Sequence, residues 1–166
     1  MSKAAGWVEH LGLVKHPEGG WYKEVYRSAE SVDAAALPER FDGKRCFSTS
    51  IYFLLSGDEC SHFHRIKQDE LWHFYDGDGL SVHVIDAAGN YTVKKLGRHP
   101  EQGEAFQQLV AAGDWFGAQV TNGGYALVGC TVAPGFDFAD FEMADRHALL
   151  ARFPQHRTVI ERLSRT

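Results

Sequence analysis

Clusters of turn-forming residues punctuate the middle of this chain at intervals of roughly ten residues. They are Gly57-Asp58, Asp76-Gly77-Asp78-Gly79, Asp86-Ala87-Ala88-Gly89-Asn90, Gly113-Asp114 and Asn122-Gly123-Gly124. Glycine and asparagine tolerate positive φ and aspartate bonds its own backbone, so each cluster favours a reversal of direction. The runs between them are short and rich in β-branched and aromatic residues. They predict strands near 46–55, 60–65, 70–76, 80–85, 91–96, 104–110, 114–120 and 125–133, after an earlier one at Trp21–Arg27. Such spacing specifies an all-β antiparallel sandwich or barrel and argues against alternating βαβ units. Helices are left to the two ends. Ser2 can cap a short first helix that Gly12 closes, and Asp145 can cap Arg146–Arg152. Pro154 then opens a run in which Val159, Ile160 and Leu163 share a face. Residues 28–45 read as a long connection. With no internal repeat and no linker, a single domain over 1–166 is expected, with the barrel at about 20–138 and a helical tail at about 145–164.

The 17 Lys and Arg residues against 22 Asp and Glu leave a net charge of −5, which gives no basic footprint for a nucleic acid polymer. No apolar run reaches the ~18–20 residues of a membrane helix. Glu9 and His10 interrupt the N-terminus too early for a signal peptide, and Cys46, Cys60 and Cys130 are an odd set without CxxC spacing. These features predict a cytoplasmic protein with free thiols and no membrane partner.

The most informative stretch runs from Gly57 to Gly77 and contains Ser61-His62-Phe63-His64 and then Glu70. Side chains two apart on a strand share a face, so His62 and His64 are expected to project side by side. If Lys67-Gln68-Asp69 is a turn, Glu70 meets them from the partner strand. Two imidazoles and a carboxylate are the donor set of a facial triad, so His62, His64 and Glu70 are candidate ligands for one divalent ion such as Fe, Mn, Ni or Zn. Imidazoles also serve in buried polar networks, and that alternative stays open. The same parity puts Cys60 on the face of the two histidines, as a small buried hydrophobe or a thiol. It puts Trp72 and Phe74 on the face of Glu70, with His73 and Tyr75 turned away. Tyr22, Glu24 and Tyr26 share a face of the first strand, a candidate pocket wall. Arg27 or Arg45 could meet an anionic group.

The Gly, His-x-His, Glu, Gly order resembles the first motif of the cupin superfamily. His16-Pro17-Glu18-Gly19-Gly20-Trp21-Tyr22-Lys23-Glu24-Val25-Tyr26-Arg27-Ser28, Ser48-Thr49-Ser50-Ile51-Tyr52-Phe53-Leu54-Leu55, Trp72-His73-Phe74-Tyr75 and Val128-Gly129-Cys130-Thr131-Val132-Ala133-Pro134-Gly135-Phe136 sharpen this. Together they resemble the "cupin 5" group, whose members carry at most a predicted sugar-epimerase label. The resemblance implies a double-stranded β-helix, a jelly-roll barrel, usually dimeric, with a ligand pocket inside. One departure is visible. The second cupin motif supplies a further histidine, and the matching position here holds Phe116.

Three functions follow as expectations. The first is a sugar or sugar-nucleotide epimerase or isomerase with His62 or His64 as base and Tyr26 or Tyr52 as acid. Glu24, Tyr26, Tyr52, Trp72, Phe74 and Phe116 would line its pocket. The second is a metal-dependent dioxygenase or isomerase using His62, His64 and Glu70. The third is a non-catalytic small-molecule-binding protein. The expected partners are a small, carbohydrate-like or nucleotide-like ligand and a second copy in a homodimer.

Overall fold

A computed structural model describes residues 1–166. The first helix, α1 (Lys3–Leu11), starts and stops where its capping residues predict: Ser2 accepts from the Ala5 N–H, and Gly12 takes φ 65°. The strands follow as β1 (Val14–Lys15), β2 (Trp21–Arg27), β3 (Ser31–Val32), β4 (Arg45–Cys46), β5 (Thr49–Ser56), β6 (Cys60–Arg65), β7 (Asp69–Gly77), β8 (Leu80–Ile85), β9 (Tyr91–Leu96), β10 (Gln107–Val110), β11 (Trp115–Val120), β12 (Tyr125–Ala133) and β13 (Glu142–Met143). Asp145 caps α2 (Arg146–Arg152), and α3 (Arg157–Arg162) closes the tail. The small strands β1, β3 and β13 lie outside the expected set; β3 forms inside the long connection and β4 straddles its end. No helix is long and apolar enough to cross a membrane.

Eleven of the strands form two antiparallel sheets, and β3 pairs with β4 in a separate ribbon. One has six strands in the order β1-β2-β5-β12-β7-β10, the other five in the order β13-β6-β11-β8-β9. Their inner faces alternate as period-two strands must. Phe53, Trp72, Phe74, Val128 and Cys130 from the first sheet belong to one apolar core with Val82, Val84, Phe116 and Ala118 from the second. On the outer face of the second sheet, Phe63, Ile85 and Trp115 pack against Leu149, Phe153, Ile160 and Leu163 of the tail. On the outer face of the first, Leu54 and Leu127 pack against Trp7 and Leu11 of α1.

Three register shifts break the alternation, each an extra residue on one strand of a pair. In β2, Glu24 pairs with Ile51 but Tyr26 pairs with Ser50, so Val25 is extra. In β6, Ser61 pairs with Ala118 and His64 with Phe116, leaving three steps on β6 against two on β11. In β7, Phe74 pairs with Val128 and Asp76 with Leu127, so Tyr75 is extra. Beyond each bulge the two faces exchange residues. The first two lie beside the cavity described below and decide which side chains enter it.

The segment after β12 crosses one end of the barrel and is tied down by a buried ion pair. Arg45 donates Nε to Asp140 Oδ2 at 2.8 Å and Nη2 to Oδ1 at 2.7 Å. Gln68 Nε2 adds a bond to Asp140 Oδ2 at 2.8 Å. This clamp fixes the strap that carries Phe136, Phe138 and Phe141. It also occupies Arg45 fully, so the expected anion-binding role of that residue is replaced by a structural one.

Candidate functional site

The two sheets and the strap enclose a cavity of about 330 Å³. Its floor is polar, with His16, Glu18, His64, Glu70 and Cys130. Its wall and mouth are largely apolar, with Tyr22, Ile51, Phe53, Phe136, Phe138 and Phe141. An enclosed pocket with few convergent polar groups is the usual form of a small-molecule site.

The loop before β2 delivers His16 and Glu18. Gly19 and Gly20 make this possible, with φ of 108° and 77°. A Cβ at Gly19 would stand 2.2 Å from the Cys60 carbonyl oxygen, so the loop lies against the start of β6. Gly19→Ala is therefore expected to destabilise the protein by about 2 kcal/mol through backbone strain and overpacking. Chemical denaturation checks this, and a loss under about 0.5 kcal/mol would contradict it.

Glu18 is the hub of the floor. Its Oε1 accepts from Ser61 Oγ at 2.9 Å and its Oε2 from His64 Nε2 at 2.8 Å. His64 Nδ1 lies 2.7 Å from the His62 carbonyl oxygen. A carbonyl and a carboxylate only accept, so both ring nitrogens of His64 carry protons. Burial works against this imidazolium, but Glu18 and the His62 carbonyl outweigh it and hold the histidine above its ordinary range. Burial likewise works against the Glu18 charge, yet His64 and the Ser61 hydroxyl keep its carboxyl below the usual range.

His16 behaves differently. Its Nδ1 accepts from the Glu18 backbone N–H at 3.1 Å, so a neutral ring carries its proton on Nε2. Burial lowers its proton affinity and outweighs the nearby Glu18 charge that works to raise it, with the His64 charge adding to the lowering.

Glu70 shares the floor with this pair. Burial, then the Glu18 charge, push its carboxyl up to about 7 against the opposing pull of His64. Cys130 lies beside it, and burial and Glu70 together raise its thiol well above the ordinary value. At neutral pH the cavity therefore holds one compensated imidazolium–carboxylate pair, one neutral imidazole and one carboxyl poised between its two states.

The sequence pattern of Cupin_5, described as Cupin superfamily (DUF985), matches residues 5–144. The chain belongs to the Cupin_5 family. A yeast relative, uncharacterized protein YML079W of Saccharomyces cerevisiae, is 30% identical over 140 residues, covering 77% of this chain and 68% of its own. The crystal structure of protein SO0799 from Shewanella oneidensis superposes with a TM-score of 0.90 at 42% identity, over 99% of both chains. A hypothetical protein from Leishmania major gives 0.90 at 38%, over 98% of this chain and 99% of its own. Oxalate decarboxylase from Bacillus subtilis gives 0.55 at 16%, over 90% of this chain and 36% of that one, which shows the cupin fold alone. The Mn(II) centres known in that enzyme are its own property.

Within this Cupin_5 cavity the expected residues divide along the bulges. His64, Glu70 and Glu24 line it. His62 does not, because the β6 bulge turns it aside and its Nδ1 lies 2.7 Å from the Glu18 carbonyl oxygen. Cys60 is likewise turned outward, against the tail cluster. Tyr26 faces away and is exposed, and Arg27 takes the inward place beside Glu24, bonded to both its oxygens at 2.8 Å. Tyr52 lies on the outer face against Tyr75. Trp72 and Phe74 do share the face of Glu70, but as deep core rather than cavity wall. Phe116 is buried beneath His64, its ring centroid 4.2 Å from the imidazole.

The His62, His64 and Glu70 set is consequently not assembled around one point, and no three His, Cys, Asp or Glu side chains converge as a metal cage. His64 has no free lone pair to offer, since both its nitrogens donate to acceptors. The residues present do not fit the facial triad.

His16, Glu18, Ser61 and Cys130 were not anticipated in the site. Two titratable residues on either side of Pro17, followed by a Gly-Gly pair, are a readable sign of a rigid loop carrying polar groups. Cys130 gives no such sign, because a buried thiol on a strand looks like any small hydrophobe.

Proposed function

We propose that this cupin binds a small carbonyl-bearing molecule of monosaccharide size and moves a proton at the carbon beside its carbonyl, as an isomerase or epimerase does. The observation that carries this reading is Glu70, a half-buried carboxyl in the cavity lining whose proton affinity is raised to about 7. A general base works best when its proton affinity lies near the operating pH. In this reading Glu70 takes the proton and the electron pair moves onto the carbonyl oxygen. The protonated Glu70 then delivers the proton to the former carbonyl carbon while the neighbouring hydroxyl proton passes to the other oxygen, which isomerises the sugar, or a water proton arrives on the opposite face of the original carbon, which epimerises it. The neutral His16 ring, whose proton sits on Nε2 in the cavity lining, donates to the enolate oxygen that forms between the two transfers. This assigns the base to Glu70 instead of His62 or His64, because His64 is already fully protonated in its hydrogen-bonded state.

The cavity volume of about 330 Å³ is near the lower end of the ~300–1,000 Å³ typical of ligand pockets, so a single sugar ring suits the interior. Any larger substituent would lie at the mouth beside Phe136 and Phe138. The test is incubation with a panel of keto sugars and 4-keto sugar nucleotides in heavy water. Deuterium is expected at the carbon next to the carbonyl of at least one of them. No incorporation into any at saturating protein would overturn the reading and leave a binding protein without catalysis.

A further inference from the structure

A bulge leaves one residue without its ladder partner, and its buried backbone groups must be satisfied elsewhere. In β6 that need is met by the tail, by the residue after β13 and by the loop before β2. The Phe63 N–H donates to the Leu163 carbonyl at 2.7 Å, and the Phe63 carbonyl accepts from Ala144 N at 2.9 Å. The His62 N–H donates to the Glu18 carbonyl at 2.7 Å. The tail reaches the loop before β2 as well, since the Arg165 guanidinium donates to the Pro17 carbonyl, one residue before Glu18. Leu163 and Ser164 are buried, and Arg146 Nε holds Ser164 Oγ at 2.9 Å. The Phe63 side chain packs in the same cluster as Val159, Ile160 and Leu163.

These contacts bear on the register of β6. A one-residue slip in a strand exchanges its two faces. Were the extra residue absorbed into regular pairing with β11, Ser61 and His64 could no longer share the inner face.

We propose that the segment Val159–Arg165 is a register lock for β6, which makes Arg165 and the Leu163 backbone positioning groups for the Glu18–His64 pair. The catalytic meaning of that pair rests on the function proposed above, but the lock is observable without any substrate.

The experiment uses the full chain, labelled with 15N, in the Arg165→Ala and Arg165→Lys variants. Arg165 is exposed, so both are expected to fold. In the parent protein the two His64 ring N–H protons should give protected, downfield signals, since each meets a buried acceptor. Arg165→Ala is expected to speed their exchange by about tenfold or more, and Arg165→Lys to retain most of the protection. A lowered melting temperature with unchanged His64 signals would reduce the tail to an anchor and overturn the proposal. In the parent protein the Phe63 and Leu163 amides should open to exchange as one unit. Phe63 staying protected about tenfold longer than Leu163 would also overturn it. Absent deuterium incorporation with these signals behaving as expected would remove the proposed reaction and leave the lock standing.

Discussion

Glu70→Gln should yield a protein that is more stable than its parent above neutral pH and that has lost its proton-transfer activity. Both effects come from one cause. Burial and the Glu18 charge raise the Glu70 carboxyl from 4.5 to about 7. As pH rises between those two values, the unfolded chain releases this proton before the folded one does. The folded state then binds more protons, so stability falls across that window. The cost is absent below pH about 4.5 and complete above about 7. A shift of this size corresponds to on the order of 3 kcal/mol, and because Glu70 keeps part of its surface open to the cavity this is an upper bound. Glutamine keeps the shape and never ionises. Urea unfolding at pH 8 should show the gain, and unfolding near pH 4 should show little difference. Deuterium exchange should drop by roughly 10²–10⁴, the usual contribution of a general base. A variant that is destabilised at pH 8, or that exchanges at the parental rate, would contradict this account.

Arg45→Met should have the larger effect on folding and no direct effect on the chemistry. Asp140 is fully buried and meets the Arg45 guanidinium through two hydrogen bonds, with the neutral Gln68 amide as a further donor. Lys67 approaches only to 3.8 Å and is partly exposed. Removing the guanidinium leaves an uncompensated charge inside the protein, which typically costs about 3–5 kcal/mol. The double variant Arg45→Met, Asp140→Leu should recover most of that loss, because the charge leaves together with its partner. Denaturation midpoints of the two variants check this. A loss below about 1 kcal/mol in the single variant would mean that solvent or Lys67 already serves Asp140.

The sheet architecture was legible in the sequence because each turn cluster carries its own local chemistry. The strands expected near 80–85, 91–96 and 125–133 form over those residues. Caps at Ser2 and Asp145 were legible for the same reason. The site was legible only up to the bulges. Glu70, Trp72 and Phe74 share a face because the β7 bulge lies beyond them, at Tyr75. His62 and Cys60 were misplaced because an extra residue sits inside the His-x-His segment itself. Tyr26 was misplaced by the extra Val25, which also explains why Arg27 points inward.

A bulge is a tertiary event. In β6 it depends on the Leu163 carbonyl and the Glu18 carbonyl, which come from distant parts of the chain. Nothing within residues 60–65 announces it. The same bulge separates this chain from the metal-binding reading of its motif. With Phe116 beneath His64 and the Glu18 carboxylate at its Nε2, the imidazole that a His-x-His pattern suggests as a ligand becomes a fixed cation.

The titration of Glu70 itself tests the central claim most directly. With 13C-labelled glutamate, the side-chain carboxyl of Glu70 can be followed by NMR against pH and assigned through its absence in Glu70→Gln. A midpoint near 7 is the predicted result. A midpoint near 4.5, the ordinary value for an exposed glutamate, would show that the carboxyl is neither desolvated nor coupled to Glu18, and the proton-transfer site would lose its base.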